Sequence, residues 1–258
     1  MIKLKKLVCT ASAAVLLGAG GLANAATAVF TELALLMDVS GSVNANEFNA
    51  QRNGYVAAFN NPILHGYIAA APGGVAVSLV QWSGTLDQLQ LMGGTGNWFH
   101  LTNAASSIAF ATAINGFGRA FTGQTAPGTA INFITPQFAS NAFTGIRKVI
   151  DVSGDGAENQ GANTLAARNA ALAAGVNQIN GLPILGEAGL LAWYQANIQG
   201  GAGSFTLPAA TFQDFENAVL TKLTFEITGT TVVPVPAALP LLASGLIALG
   251  WLGRRRKA

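Results

Sequence analysis

The feature that most constrains this fold is an apolar strand that ends in a cluster of oxygen-bearing side chains. The run Leu33–Met37 has no polar residue, as expected of a strand covered on both faces. Asp38, Ser40 and Ser42 follow it at once, spaced two residues apart. Open α/β sheets bind ligands beyond the carboxyl ends of their strands, and hard cations such as Mg²⁺ bind oxygen. The spacing therefore predicts a cation site, with a simple turn as the alternative because Asp, Ser and Gly also favour turns.

The rest of the domain alternates between strand-like and helix-like segments. Six segments have the pattern of strands: 33–37, 75–82, 86–92, 149–152, 176–185 and 205–207. Six segments have the pattern of helices: 44–60, 102–115, 129–139, 164–174, 188–197 and 212–225. Asn44 and Glu47 form a capping pair at the start of the first helix, and the third strand is expected to pair antiparallel with the second. This order predicts an α/β fold, Rossmann-like and doubly wound, with a mostly parallel sheet and helices on both faces.

Both ends of the chain have the composition of targeting segments. Residues 1–25 combine a basic start, an apolar centre and a small-residue cleavage site, which is typical of a secretory signal peptide. Residues 232–258 combine a proline motif, an uncharged apolar stretch and the basic Arg254–Lys257, which is typical of a transmembrane helix with its basic end in the cytoplasm. The folded domain is therefore expected at 26–231, exported and without cysteine, because Cys9 lies in the signal.

The positive charge of the chain belongs to these targeting segments. The whole chain has 13 Lys and Arg against 11 Asp and Glu. Three of the basic residues lie in the signal and four in the tail, so the domain at 26–231 has six basic and 11 acidic residues. Its net charge is about −5, and it has no basic patch that could serve as a nucleic-acid interface. We expect no nucleic-acid partner.

Two later segments supply further oxygen ligands. Thr125 lies in a Gly- and Thr-rich loop that opens a helix, and Asp155 follows the end of a later strand. Together with Asp38, Ser40 and Ser42, they resemble the metal-ion-dependent adhesion site (MIDAS) of von Willebrand factor A-type domains. The resemblance implies that these five residues hold a divalent cation, Mg²⁺ with Mn²⁺ or Ca²⁺ as alternatives. It also implies that an acidic group from a partner completes the coordination of the ion.

Each of the later assignments has a rival. Thr125 could instead cap the helix that follows it, and Thr129 is a second hydroxyl one turn further on. Asp155 could serve a turn because Asp-Gly is a strong turn pair. Asp151 is a second carboxylate in the same strand and could be a hydrogen-bonded structural group.

Two wider resemblances extend beyond the site. A bacterial family of von Willebrand A-like proteins is similar over four stretches: Asp38–Val43 together with Glu47-Phe48 and Gln51-Arg52, Val80–Gly84, Val149–Gly161 and Ile179–Leu182. The tail resembles the PEP-CTERM sorting signal in its Val-Pro-x-Pro-Ala variant, with Val235 at the position where Glu is usual. This second resemblance implies an exosortase-type sorting enzyme as a partner and transient anchoring in the inner membrane. Delivery to the cell envelope or extracellular matrix of a Gram-negative bacterium would follow.

These patterns favour a binding protein over an enzyme. The chain has no Gly-x-Ser-x-Gly nucleophile elbow and no phosphate loop, and His65 and His100 lack metal-ligand spacing. We therefore expect a metal-ion-dependent binding or adhesion domain that recognises an acidic group on an extracellular protein or polysaccharide. The alternative is a structural envelope or matrix protein whose metal site is vestigial or merely stabilising. A metal-assisted hydrolase is the weakest hypothesis, because no general base lies beside the site.

Overall fold

The computed structural model describes residues 25–230, and a six-stranded sheet forms their centre. The strands are β1 (Thr27–Asp38), β2 (Val75–Trp82), β3 (Gln88–Gln90), β4 (Phe99–Leu101), β5 (Phe143–Gly154) and β6 (Gln178–Pro183). The sheet order is β3-β2-β1-β5-β6, and β4 also pairs with β2. Strands β1, β2, β5 and β6 run parallel, whereas β3 and β4 are antiparallel to β2. This is the mostly parallel α/β architecture that the sequence predicts.

Helices cover both faces of the sheet. They are α1 (Ala45–Asn60), α2 (Pro62–Ala70), α3 (Ala104–Asn115), α4 (Pro127–Ile134), α5 (Gln137–Ser140), α6 (Thr164–Ala173), α7 (Leu190–Asn197) and α8 (Phe215–Thr228). Helices α1, α2, α3 and α8 pack into one hydrophobic core, and α4 to α7 pack into the other. The central strand, β1, contributes side chains to both cores, because successive side chains of a strand point to opposite faces. Leu33 and Leu35 lie in the first core, and Ala34 and Leu36 lie in the second.

A capping box fixes where α1 begins, directly after the loop that carries Ser40 and Ser42. The Asn44 side chain accepts hydrogen bonds from the backbone N–H groups of Asn46 and Glu47. The Glu47 carboxylate accepts in return from the backbone N–H of Asn44 at 2.7 Å. The prediction of this helix start is therefore confirmed. The cap holds the exposed loop between two fixed points, the end of β1 and the first turn of α1.

Three predicted elements are split, missing or shortened in the structure, and most of the others differ in where they begin or end. The single helix expected at 129–139 is two helices, α4 and α5, because Pro136 has no backbone N–H with which to continue α4. The strand expected at 205–207 is wrong, since this segment makes only an isolated bridge between Gly181 and Thr206. The strand expected at 86–92 is shorter than predicted, although it pairs antiparallel with β2 as expected.

Two elements were not expected from the sequence. Helix α2 follows α1 after one residue, with Pro62 in its first turn and the Asn61 side chain as its N-cap. Strand β4 forms within a glycine-rich segment and pairs with β2. Local composition hides both elements, because Pro and Gly are typical of turns.

Strand β1 begins and helix α8 ends at the end of the sheet opposite Asp38. Phe30 of β1, Tyr67 of α2 and Ile227 and Thr228 of α8 line a groove of about 160 Å³ there. Within residues 25–230 there is no helix long and apolar enough to cross a membrane. The predicted signal peptide at 1–25, apart from its last residue, and the predicted sorting tail at 232–258 lie outside the described part of the chain.

Candidate metal centre

Asp38 is a buried carboxylate at the end of the central strand. Its side chain has 0% of its surface exposed. Oδ1 accepts a 2.7 Å hydrogen bond from the backbone N–H of Ser40, whereas Oδ2 has no hydrogen-bond partner among residues 25–230. Burial raises the pKa of Asp38 to about 7, and the charge of nearby Asp155 adds to the rise. An unpartnered, buried carboxylate oxygen is costly, and a cation would offset that cost.

Two hydroxyls link Asp38 to the end of the neighbouring strand. The Oγ atoms of Ser40 and Ser42 lie 3.1 Å apart, and Ser42 Oγ donates a 2.6 Å hydrogen bond to Asp155 Oδ1. Ser40 is buried and Ser42 is exposed, so the chain of polar atoms runs from the protein interior to its surface. Partial burial raises the pKa of Asp155, and Ser42 partly opposes this rise.

Gly154 makes the approach of β5 to Asp38 possible. A Cβ atom added at Gly154 would lie 2.6 Å from Asp38 Oδ2 and 2.9 Å from the hydroxyl of Tyr194. Tyr194 is itself fully buried, and its hydroxyl has no hydrogen-bond partner within the described residues. Two unpartnered polar atoms therefore lie around one glycine, in a space that no other residue type at this position would leave open.

Thr125 is fixed beside the end of β5 by its backbone. Its N–H donates a 2.8 Å hydrogen bond to Asn159 Oδ1, and its carbonyl accepts from the N–H groups of Asn159 and Gln160. The Thr125 hydroxyl lies 3.7 Å from where a Cβ atom at Gly156 would be, next to Asp155. The structure thus places the loop between α3 and α4, residues 116–126 (the middle loop), against the strand end that carries the second carboxylate.

The rivals considered from the sequence lie elsewhere. Thr125 is not the cap of α4, whose N-cap is Ala126 and has no side-chain capping bond. Thr129 Oγ1 accepts a 3.0 Å hydrogen bond from the N–H of Ala162, so this hydroxyl supports a loop. Asp151 is fully buried within β5 and forms an ion pair with Lys222 at 2.6 Å.

A pocket of about 340 Å³ opens beside these groups. Its lining comprises Gly41, Ser42, residues 122–125 and Asn159. The N–H of Gly41 donates a 2.8 Å hydrogen bond to the carbonyl of Gly123, which joins the two loops that form the pocket wall. The outer end of the hydroxyl chain is therefore open to a group from another molecule.

The chain matches a family model over almost all of its described residues. A family model described as "Protein of unknown function (DUF1194)" matches residues 28–231. The chain belongs to the DUF1194 family. None of the curated proteins matches the chain significantly.

Solved structures of the von Willebrand A type share the fold of this DUF1194 domain. Proximal thread matrix protein 1 from the mussel byssus matches with a TM-score of 0.58 at 15% identity, over 79% of this chain and 49% of that one. The same mussel protein with a zinc-occupied MIDAS motif matches at 0.51 and 17%, over 77% and 47%. A von Willebrand factor type A protein from Catenulispora acidiphila matches at 0.52 and 14%, over 78% and 43%. This chain spans less than half of each neighbour, and these low identities establish the fold alone.

Arg119 is a residue of the DUF1194 site that the sequence reasoning missed. One of its terminal nitrogens, Nη2, donates hydrogen bonds to the backbone carbonyls of Val39 at 3.1 Å and Ser40 at 2.7 Å. It therefore holds the loop after β1 from the side of the middle loop. A signal was present, because Arg119 is the only charged residue between Asp87 and Arg147. Tyr194 had no comparable signal, since it is one of several apolar and aromatic residues in α7.

The donor set of this DUF1194 site suits a hard cation. Asp38, Ser40, Ser42 and Asp155 form a continuous set of contacts, and Thr125 lies beside them. Hydroxyl and carboxylate oxygens are the ligands that Mg²⁺ and Ca²⁺ prefer. The described residues contain no group of three or more His, Cys, Asp or Glu side chains placed to hold a metal. Any cation here would therefore depend on the hydroxyls as well as on the two carboxylates.

Proposed function

We propose that this DUF1194 domain is a metal-ion-dependent binding domain that recognises an acidic group on an extracellular protein or polysaccharide. Asp38, Ser40, Ser42, Thr125 and Asp155 would hold the cation, Mg²⁺ first and Mn²⁺ or Ca²⁺ as alternatives. The observation that carries the proposal is the unpartnered Oδ2 of fully buried Asp38 beside a chain of hydroxyls that reaches the surface. The cation supplies positive charge at the surface of an acidic domain.

The charges of the site favour an acidic ligand. Asp155 already accepts a short hydrogen bond from Ser42, so a hydroxyl stands between this carboxylate and the rest of the cluster. Neutral hydroxyls make up most of the remaining donors, and carboxylates that reach a divalent ion only through water would leave it incompletely neutralised. A carboxylate or sulfate from another molecule would then complete both the coordination and the charge. Ser42 is exposed, which leaves that side open.

The surface around the pocket would add specificity. The backbone N–H of Thr85 donates a 3.2 Å hydrogen bond to Gln160 Oε1, which brings the loop after β2 to the rim of the site. Leu86 in that loop is 92% exposed. An exposed apolar side chain beside a charged centre suits a ligand that carries an acidic group next to an apolar one.

We further propose that the protein is exported and non-enzymatic. The residue patterns at 1–25 and 232–258 support export, membrane anchoring in transit, recognition by an exosortase-type enzyme and delivery to the envelope or extracellular matrix of a Gram-negative bacterium. The name of the mussel neighbour, a thread matrix protein, loosely agrees with an extracellular location. No histidine belongs to the site, and both of its carboxylates, Asp38 and Asp155, are assigned here to the cation rather than to a general base.

A structural role is the second candidate. The raised pKa of Asp38 means that this carboxyl is neutral below about pH 7 when no cation is bound. A domain can fold stably around a neutral, buried acid, in which case the cation would stabilise the fold without recruiting a partner. A cation that raises the melting temperature but adds no ligand binding would favour this alternative.

The test is calorimetric titration of residues 26–231 with Mg²⁺, Mn²⁺ and Ca²⁺, followed by binding to an immobilised polyglutamate probe with and without EDTA. We expect saturable cation binding and EDTA-sensitive probe binding, both lost in Asp38→Asn. Glu216→Gln is the matched control because it removes an exposed carboxylate from the start of α8, outside the site, and should change neither. Probe binding that survives in Asp38→Asn would refute the proposed role of the site.

A further inference from the structure

A second cluster of ionisable side chains lies between the sheet and α8, outside the candidate metal centre. Asp151 of β5 and Lys222 and Glu226 of α8 all have 0% exposure. Lys222 Nζ lies 2.6 Å from Asp151 Oδ1 and also contacts Glu226 Oε1. Asn180 of β6 donates a 2.9 Å hydrogen bond to the same Glu226 oxygen. One amine is thus buried together with two carboxyl groups, and it contacts both of them.

The buried surroundings of the cluster disfavour the charged forms of its side chains. The ring of Phe205 lies 5.4 Å from Lys222 Nζ, and the Tyr55 hydroxyl is hydrogen-bonded to Ser153 rather than to the cluster. Two carboxyls share one amine. Burial raises the pKa of Asp151, and burial together with the nearby Asp151 charge raises that of Glu226 to about 7. A reaction that removes one carboxylate and the ammonium together would relieve the cost of burying both.

We propose that Lys222 and Asp151 are joined by an intramolecular isopeptide bond. Nζ of Lys222, as the neutral amine, attacks Cγ of Asp151, and a C–N bond forms while the C–O bond to one carboxyl oxygen breaks. That oxygen leaves as water, carrying its own proton and one proton from Nζ. Glu226 is the catalytic residue, because its carboxyl contacts Nζ, accepts the proton and delivers it to the departing oxygen. The condensation needs neither an oxidant nor a reductant.

The geometry holds the two reacting groups together. Nζ lies 2.6 Å from Oδ1, which is one bond away from the Cγ that the amine would attack. Reactants held in such positions behave as if present at about 10⁵ M or more, which offsets the poor reactivity of a carboxyl. Full burial keeps out the water that would reverse the reaction. Since the only cysteine, Cys9, lies in the predicted signal, this bond would be the covalent cross-link of a domain that cannot form a disulfide.

The test is mass spectrometry of the full chain, denatured, beside Lys222→Met and Glu226→Gln prepared in the same way. We expect the wild-type chain to be lighter than its sequence, after any processing shared by all variants, by one water molecule. Both variants should have their full sequence mass. Trypsin should fail to cleave after Lys222, and tandem spectra should show the peptide 149–168 joined to the segment that contains Lys222.

A second variant tests the chemistry of the bond. Asp151→Asn would condense with loss of ammonia instead of water, so its product should have the same final mass as the linked wild-type chain. A wild-type chain with its full sequence mass and normal cleavage after Lys222 overturns the proposal. A loss of water that persists in Lys222→Met also overturns it, because the dehydration would then lie elsewhere. The wild-type result decides the question even if a variant fails to fold.

Discussion

The hydroxyl of Ser42 donates a 2.6 Å hydrogen bond to Oδ1 of Asp155, a residue 113 positions later in the chain. The contact joins the loop after β1 to the end of β5, its parallel neighbour. Because Ser42 is exposed, the bond lies where a bound cation would meet its ligand. A substitution at this pair can therefore distinguish an effect on cation binding from an effect on the stability of the fold.

Ser42→Ala should weaken cation binding far more than it weakens the fold. It removes one hydroxyl ligand and the hydrogen bond to Asp155, so we expect cation affinity to fall tenfold or more. The free energy of unfolding should fall by about 1 kcal/mol or less, as for one partly exposed hydrogen bond. Calorimetry and urea unfolding measure the two quantities. Unchanged affinity in Ser42→Ala would exclude this hydroxyl as a ligand.

Gly154→Ala should disrupt the site from within. The new methyl group would meet Asp38 Oδ2 and the Tyr194 hydroxyl in fully buried surroundings. We expect a loss of about 1–3 kcal/mol in the free energy of unfolding, together with loss of cation binding. Gly66→Ala in α2 is the matched control, since no atom lies within 4 Å of the added Cβ and alanine favours the helix. The melting temperature of Gly66→Ala should equal or exceed that of the wild type.

The two threonines near the middle loop should respond in opposite ways. Thr125→Val keeps the backbone bonds to Asn159, so we expect a stable domain whose cation affinity falls tenfold or more. Thr129→Val removes the acceptor for the N–H of Ala162, so it should cost about 1–2 kcal/mol of stability and leave cation affinity unchanged. Reversed results in calorimetry would make Thr129 the ligand.

Cation binding should strengthen as the pH rises through about 7. The folded-state pKa of Asp38 is raised above its ordinary value, so the cation-free domain loses stability as the pH rises from about 4 to above 7 and the buried carboxyl ionises. A cation requires the carboxylate and displaces its proton. We expect Mg²⁺ to raise the melting temperature at pH 8 and to have little effect at pH 5. In Asp38→Asn this difference between the two pH values should disappear.

The sequence predicted the parts of the site that depend on local pattern. The apolar run of β1 and the spacing of Asp38, Ser40 and Ser42 follow from one short stretch, and the capping pair Asn44 and Glu47 fixes the next helix. The parallel strand order then brings the end of β5, with Asp155, beside Asp38.

The parts that depend on distant contacts were not predictable in this way. Arg119 acts through two carbonyls of a loop 79 and 80 positions earlier; its position as an isolated charge in the sequence marks the residue but not that contact. The predicted last helix ended at Phe225, whereas α8 continues to Thr228 and includes Glu226. The buried cluster around Lys222 was therefore invisible, since its members come from two strands and a helix that only the tertiary fold brings together.

The groove of Phe30, Ile227 and Thr228 lies at the pole of the domain opposite Asp38, where the first described strand begins and the last described helix ends. Strand β1 begins and helix α8 ends at the amino-terminal end of the parallel strands. Asp38 is the last residue of β1, a 12-residue strand, and so lies roughly 35–40 Å from the start of that strand. A membrane or polymer attached at either terminus would therefore hold the domain by its base. The candidate binding surface would face outward, and a pull exerted by a captured ligand would run along the parallel strands rather than across them.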